Sequence, residues 1–332
     1  MKEEISQAVQ DAKNIVVIQA DNPDADSLGS ALALEEILEE QGKHVALYCG
    51  VQVPEYLRYL EGWDRIEQEL PKGFDLSIIV DASTYTLFDK LCTSGGMATV
   101  QSKPCVVLDH HATVENPLDF TDLQLVDGSI SSTGELIYSL ATESNWPLTA
   151  HAAECIMAAV LGDTQGLTNN LTTTTTYRLM ATLTEVGADR SKLEELRREY
   201  GKMPESIYRY KGDLIAKTEL HTAGKVALVH VPQDEINTFS PLYNPAALIQ
   251  FDMLQIKNIA IAIVLKSYDD GRVTGALRAN LGYPICGKLA EAMGGGGHDY
   301  ASGFKTTDRP YEEAKNELLR LVNELLLHED VA

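Results

Sequence analysis

The stretch IVVIQADNPDADSLGSALALEEILEEQGKHVALYCG, residues 15–50, decides the fold. It opens with an apolar run, IVVIQA (15–20), followed by a polar loop that carries Asp21, Asp24 and Asp26. Residues 27–43 place apolar side chains at helical spacing and stop at Gly42, and HVALYCG (44–50) is apolar again. Runs that are apolar without alternation belong to strands covered on both faces, the habit of parallel sheets. Strand, helix and strand in this order form the unit of a doubly wound α/β domain.

The same pattern continues outward. LSIIV (76–80) and CVVL (105–108) read as further strands. The highly charged segment 186–222 reads as a helical linker. Beyond it KVALVHVP (225–232) restarts strand character, and residues 256–280 read as a hairpin turned at Asp270–Gly271. PICGKLAEAM (284–293) reads as a helix that runs into Gly294–Gly297, and 310–329 as an amphipathic helix with Pro310 near its start. The expectation is an α/β protein with an N-terminal, doubly wound, mainly parallel domain (1–185) and a smaller C-terminal α/β domain with a mixed sheet (223–332). An active-site cleft is expected between the two, and 332 residues suit about two domains.

The formal net charge is −22, from 49 acidic and 27 basic residues. Long nucleic acid is held through many Lys and Arg contacts to phosphate, and this balance opposes that. The five cysteines are scattered without a CxxC pair, as expected of free thiols in a reducing compartment. Residues 1–14 are polar and unlike a signal peptide, and the apolar run IAIAIVL (259–265) is too short to span a bilayer. These features predict a cytoplasmic protein with no membrane partner.

The acidic residues fall where sites form. Asp24 and Asp26 follow the first strand, Asp81 follows LSIIV, and Asp109, His110 and His111 follow CVVL. Asp163 follows the apolar run IMAAVLG (156–162) and is counted with these strand ends. Ligands of open parallel sheets bind beyond the carboxyl ends of the strands, so these residues are expected to converge on one rim. Clustered carboxylates repel one another, and divalent cations relieve the repulsion. Oxygen and imidazole ligands suit Mn²⁺ or Mg²⁺ better than a thiolate metal. A single Asp after a strand is more often a turn residue or helix cap, so the argument rests on their number.

These residues resemble the DHH phosphoesterases. NPDADSLGSALAL (22–34), VDAS (80–83), LDHHAT (108–113), ISSTGELIY (130–138) and LGDTQG (161–166) look like that family's successive motifs. GALRAN (275–280) and GGGGHDYASGF (294–304) look like its DHH-associated C-terminal domain. The resemblance spans almost the whole chain, in the family's order. It is strongest to the branch of nanoRNA phosphodiesterases and 3′-phosphoadenosine-5′-phosphate phosphatases.

The resemblance implies one or two Mn²⁺ or Mg²⁺ ions and a short oligonucleotide or nucleotide substrate. It implies Asp26, Asp81, His110 and Asp163 as ligands of one ion, and Asp24 with Asp81 as ligands of the other. His111 matches a substrate-phosphate contact and Asp109 a residue that orients a ligating His. Arg278 and His298 match phosphate contacts, and Gly295, Gly296 and Gly297 with Gly294 match a backbone approach to the substrate. A homodimer is implied by the family alone. The family's first motif begins with His where this chain has Ala20, and Ala279 stands where Ser usually follows Arg. Asp21 or water completes the first metal site, or one metal suffices, or the protein binds nucleotides without cutting them. Polyphosphatase, pyrophosphatase and cyclic-dinucleotide phosphodiesterase activities are the rival chemistries.

Other features predict structure. Ser129, Ser131, Ser132 and Thr133 read as an N-cap cluster, since no G-x-S-x-G elbow accompanies them. The glycine run lacks the GK[ST] ending of a P-loop. Tyr56, Tyr59 and Trp63 at helical spacing are expected to pack internally, and Tyr300 and Phe304 are expected in the core.

Overall fold

The computed structural model describes residues 1–111, 116–240 and 243–329; Ala112 and Thr113 of the LDHHAT stretch lie outside them. Internal packing divides the chain into two units, Met1–Lys202 and Met203–Ala332. The charged segment 186–222 is therefore shared, its first helix belonging to one unit and its second to the other.

The first unit begins α1 (Lys2–Asp11), β1 (Asn14–Gln19), α2 (Ala25–Glu39), β2 (His44–Cys49), β3 (Ile66–Glu67) and β4 (Leu76–Val80). It continues through α3 (Asp89–Thr93), α4 (Gly96–Gln101), β5 (Cys105–Asp109) and β6 (Gln124–Val126). Helices α5 (Thr133–Glu143), α6 (Ala150–Asp163), α7 (Thr174–Val186) and α8 (Arg190–Tyr200) complete it. The sheet is parallel, in the order β3-β2-β1-β4-β5-β6. Ile15, Val17, Ile78 and Val80 pack on the α2, α5 and α6 side, and Val16, Ile18, Ile79 and Val107 pack with Leu91, Met97 and Val100 of α3 and α4. Burial on both faces explains why these strands lack polar alternation.

The run 156–162 is helix, within α6, so Asp163 ends a helix and not a strand. An apolar run this short carries no periodicity that separates a buried helix from a buried strand. Tyr56 stands in a single 3-10 turn (Glu55–Leu57) and is 54% exposed, against the expectation of internal packing. Tyr59 is buried, and Trp63 packs partly against the core with Arg58 over its ring.

The second unit comprises α9 (Glu205–Ala216), β7 (Glu219–His221), β8 (Val226–Val231), α10 (Gln233–Phe239), α11 (Pro245–Leu254), β9 (Ile261–Ser267) and β10 (Val273–Ala279). After these come α12 (Cys286–Ala292), β11 (Gly296–His298), β12 (Ala301–Thr306) and α13 (Tyr311–Glu329). Its sheet is mixed, in the order β11-β12-β10-β9-β8-β7, with β8 and β9 parallel and the other pairs antiparallel. The expected hairpin is β9–β10, and Phe304 is in the core. Tyr300 is 38% exposed, outside the core expected for it.

Candidate metal centre

The first sheet reverses its direction of winding between β1 and β4, so the connections leaving them pass to opposite faces and open a crevice at their carboxyl ends. Asp24 and Asp26 stand beyond β1, Asp81 beyond β4, and Asp109 to His111 at the end of β5. Asp81 has φ of 58°, a left-handed backbone that Asp tolerates better than most residues. Asp163 arrives from the last position of α6. Helix α6 lies close enough to α2 that a Cβ on Gly29 would come within 2.6 Å of the Cys155 carbonyl oxygen, and one on Gly162 within 2.8 Å of the Ala25 Cβ. These close approaches bring the Asp163 end of α6 to the start of α2.

His110 is the focus of the cluster. Its Nε2 lies 2.8 Å from Asp163 Oδ2 and 3.6 Å from both Asp26 Oδ2 and Asp81 Oδ1. Among the described residues this buried nitrogen has no hydrogen-bond partner of acceptable geometry, the Asp163 contact included. Asp26, His110 and Asp163 each offer a ligand atom within 4.8 Å of the others, as do Asp81, His110 and His111. A cation has the charge and coordination preference that these oxygens and imidazole nitrogens match.

The carboxylates are held from behind. The Thr133 and Gly134 backbone N–H groups donate to Asp26 Oδ2 and Oδ1 at 2.7 and 3.0 Å, and the Ser30 hydroxyl donates to Oδ1 at 3.1 Å. The Thr133 hydroxyl donates to Asp81 Oδ1 at 3.1 Å. The first-turn N–H groups of α5, orphaned in any helix, are thus spent on a candidate ligand. Thr133, Gly134 and Ser30 were not singled out for this from the sequence. Ser132 caps α5, its side chain accepting from Glu135 N, as expected.

Asp109 is buried and accepts from the Ser83 hydroxyl through Oδ2. Its Oδ1 lies 2.7 Å from His111 Nδ1 and accepts from the His111 backbone N–H at 3.2 Å. The carboxylate expected to orient a ligating His therefore orients His111, whose ring lies 4.6 Å from that of His110.

Charge shifts follow from this crowding. Burial, then the charge of Asp163, pushes Asp26 up to about 6. Burial and the neighbouring aspartates raise Asp81 well above the carboxylate range, and burial also raises Asp24. For His110, burial opposes protonation, but Asp163 and Asp26 outweigh it and push the imidazole up to about 9. Asp109 goes the other way: burial would raise it, and hydrogen bonds from His111 and Ser83 hold it low. Its hydrogen bond in turn raises His111. Without a cation, the cluster relieves repulsion by taking protons.

The opposite side of the rim differs. Ala20 is 4% exposed and packs with Tyr48, Ala82, Phe88 and Leu91. Asp21 turns away, its Oδ2 accepting from Lys90 N at 2.8 Å and its Oδ1 lying where a Gly50 Cβ would be. Asp24 caps α2: its Oδ1 accepts from Ser27 N at 3.0 Å, and the Ser27 hydroxyl accepts from Asp24 N at 2.9 Å.

In the second unit, Arg278 of β10 and His298 of β11 both pair with Ala301 of β12, from its two sides. Both are exposed and stand in one cross-strand row, on one face of the sheet. Gly295 and Gly297 press on β12, where a Cβ would lie 2.2 Å from the Gly303 carbonyl oxygen and 2.6 Å from Ser302 Cα. Gly296 faces open space on its Cβ side.

A doubly wound unit with this acidic rim, joined in sequence to a mixed-sheet unit with an Arg–His row, is the architecture of the DHH family, to which the chain belongs. The DHH family, N-terminal domain, matches residues 14–160, and the DHHA1 domain matches residues 245–327. Among its relatives is the bifunctional oligoribonuclease and PAP phosphatase NrnA of Thermus thermophilus, 26% identical over 92% of this chain and 88% of that protein. The protein of the same name from Bacillus subtilis is 27% identical over 91% of this chain and 92% of its own. In fold, the chain is similar to an exopolyphosphatase-related protein from Bacteroides fragilis, with a TM-score of 0.85 and 24% identity over 98% and 97% of the two chains.

Proposed function

We propose that the protein is a metal-dependent phosphoesterase that hydrolyses short oligonucleotides, 3′-phosphoadenosine 5′-phosphate, or both. The observation that carries this reading is the buried His110 Nε2, without a hydrogen-bond partner among the described residues and facing Asp26, Asp81 and Asp163. Those residues would hold Mn²⁺ or Mg²⁺. When bound, such an ion supplies positive charge against the phosphate and acidifies water. The substrate class comes from the NrnA relatives, which match nearly the whole of this chain.

The chain's own residues have separate tasks in this reading. Thr133, Gly134 and Ser30 fix the Asp26 and Asp81 carboxylates. Asp109 holds His111 Nδ1 and favours the imidazolium, leaving Nε2 to donate to a phosphate oxygen or a leaving oxygen. Arg278 and His298 contact phosphate, and Gly296 lets the backbone approach it. The protein works in the cytoplasm, and homodimerisation is part of the same reading. No helix among the described residues is long and apolar enough to cross a membrane.

A second reading, nucleotide binding without turnover, is favoured by the apolar packing around Ala20. One experiment separates the two. Purified protein with Mn²⁺ is given pApA, pGpG, a five-nucleotide RNA and 3′-phosphoadenosine 5′-phosphate, with Asp81→Ala beside it. Mononucleotide or adenosine monophosphate products, absent in Asp81→Ala, are expected. Tight binding of a substrate without product, with Mn²⁺ and with Mg²⁺, overturns the enzyme in favour of the binding protein.

A further inference from the structure

Beside the candidate metal centre, within the first unit, lies a cavity of about 700 Å³, inside the range of about 300–1,000 Å³ common to ligand sites. Asp24 and Asp163 are among the residues that line it, and so are Arg190, Arg197 and Arg198 of α8. In a chain of net charge −22, three arginines and one glutamate, Glu194, of the same helix line this cavity. Glu194 accepts from Arg197 Nε at 2.8 Å and from Arg198 Nε at 2.9 Å, so it is already shared. The Arg190 side chain makes no hydrogen bond or ion pair among the described residues. The nearby Asp189 carboxylate is spent on the N–H groups of Ser191 and Lys192. Tyr56, exposed in its 3-10 turn, lines the same cavity.

We propose that this cavity is a subsite for an additional nucleotide of a short oligonucleotide, with its phosphate on Arg190, Arg197 and Arg198 and its base against Tyr56. The inference rests on the phosphoesterase reading and deepens it: the cavity makes chains longer than a dinucleotide better substrates. The charges orient the ligand. Asp24 and Asp163 repel a phosphate that no cation shields, and the arginines attract it. An aromatic face serves any base, so the subsite reads length rather than sequence.

The test is a length series of 5′-phosphorylated RNAs from two to five nucleotides, with kcat and KM measured for the full-length protein. The wild type is expected to favour five nucleotides over two, through a lower KM. Arg190→Ala and Tyr56→Ala are each expected to reduce that five-over-two preference by about three- to tenfold, and Arg190→Lys to recover part of it. A wild type without length preference overturns the subsite. An unchanged preference in both alanine variants overturns it as well, as does an equal loss on both lengths, which marks a structural role. If the wild type cuts none of the RNAs, the oligonucleotide part of the phosphoesterase reading fails, and fluorescence anisotropy of the labelled five-nucleotide RNA judges the cavity alone. Weaker binding in Arg190→Ala then supports it, and equal binding overturns it.

Discussion

The two sides of the acidic rim are built from the same materials and arrive at different results. On one side Asp26, Asp81 and Asp163 face a buried imidazole nitrogen that no hydrogen bond among the described residues satisfies, and backbone and hydroxyl donors fix Asp26 and Asp81 from behind. On the other, Ala20 belongs to the apolar cluster of Tyr48 and Phe88, Asp21 is tied to Lys90 N through one oxygen while its other oxygen is buried without a hydrogen-bond partner among the described residues, and Asp24 is occupied as a helix cap. A carboxylate becomes a good metal ligand when its remaining lone pairs are pinned and its neighbours demand a cation. A carboxylate whose bonds stabilise a helix start has less to offer. The difference points to one strong cation site beside a weak one.

The largest expected effect comes from removing the shared carboxylate. Asp81→Asn should abolish Mn²⁺ binding in a calorimetric titration and lower turnover by more than the roughly 100-fold that loss of an outer partner costs. Retained binding would break the comparison at its stronger side. Thr133→Val removes only the hydroxyl that donates to Asp81 and keeps the backbone donor to Asp26. Metal affinity should fall by about 10- to 100-fold while the protein stays folded. An unchanged affinity would show that the outer hydrogen bond orients nothing.

Much of the strong side was legible in the sequence. Strands β1, β4 and β5 are apolar without alternation, so their ends, and with them Asp26, Asp81 and Asp109, could be placed on one rim. Asp163 was gathered with the right partners but attached to the wrong element, because a seven-residue apolar run hides its period. Thr133 and Gly134 read only as part of a helix cap. Every helix start has free N–H groups, and nothing local tells which carboxylate, 107 residues away, will receive them. Tyr56 was misread because a single 3-10 turn mimics helical spacing over a few residues. The resemblance implies that Asp109 orients a histidine, and the folded loop shows that this histidine is His111.

Ala20→His sharpens the weak side. The new imidazole must displace the packing around Tyr48, Phe88 and Leu91, which should cost the metal-free protein about 1–3 kcal/mol, read as a lower melting temperature. With Mn²⁺, calorimetry should show one strong site in the wild type and a second in the variant. Two strong sites in the wild type would erase the contrast between the sides, and Asp24 would then have to leave its cap to bind.

The smallest effect is a pH dependence of the metal-free protein. Asp26 is raised from its ordinary 3.8 to about 6, so its contribution to stability is fully present below about 4 and is lost as pH rises through 6. His110 is raised from 6.5 to about 9, and its contribution is lost in the same direction between those values. Carboxylates held low by partners, such as Glu194 at about 2, have the opposite sign but are already ionised in both states above pH 5. Between pH 5 and 9, the metal-free melting temperature should therefore fall, by a few degrees if the net effect is on the order of 1 kcal/mol. Mn²⁺ demands ionised carboxylates and neutral imidazoles, so the stabilisation it adds should grow over the same range. Scanning calorimetry with and without Mn²⁺ checks both slopes. The Asp26→Asn variant should flatten the lower half of the metal-free curve, and a curve that keeps its slope would place the proton elsewhere in the cluster.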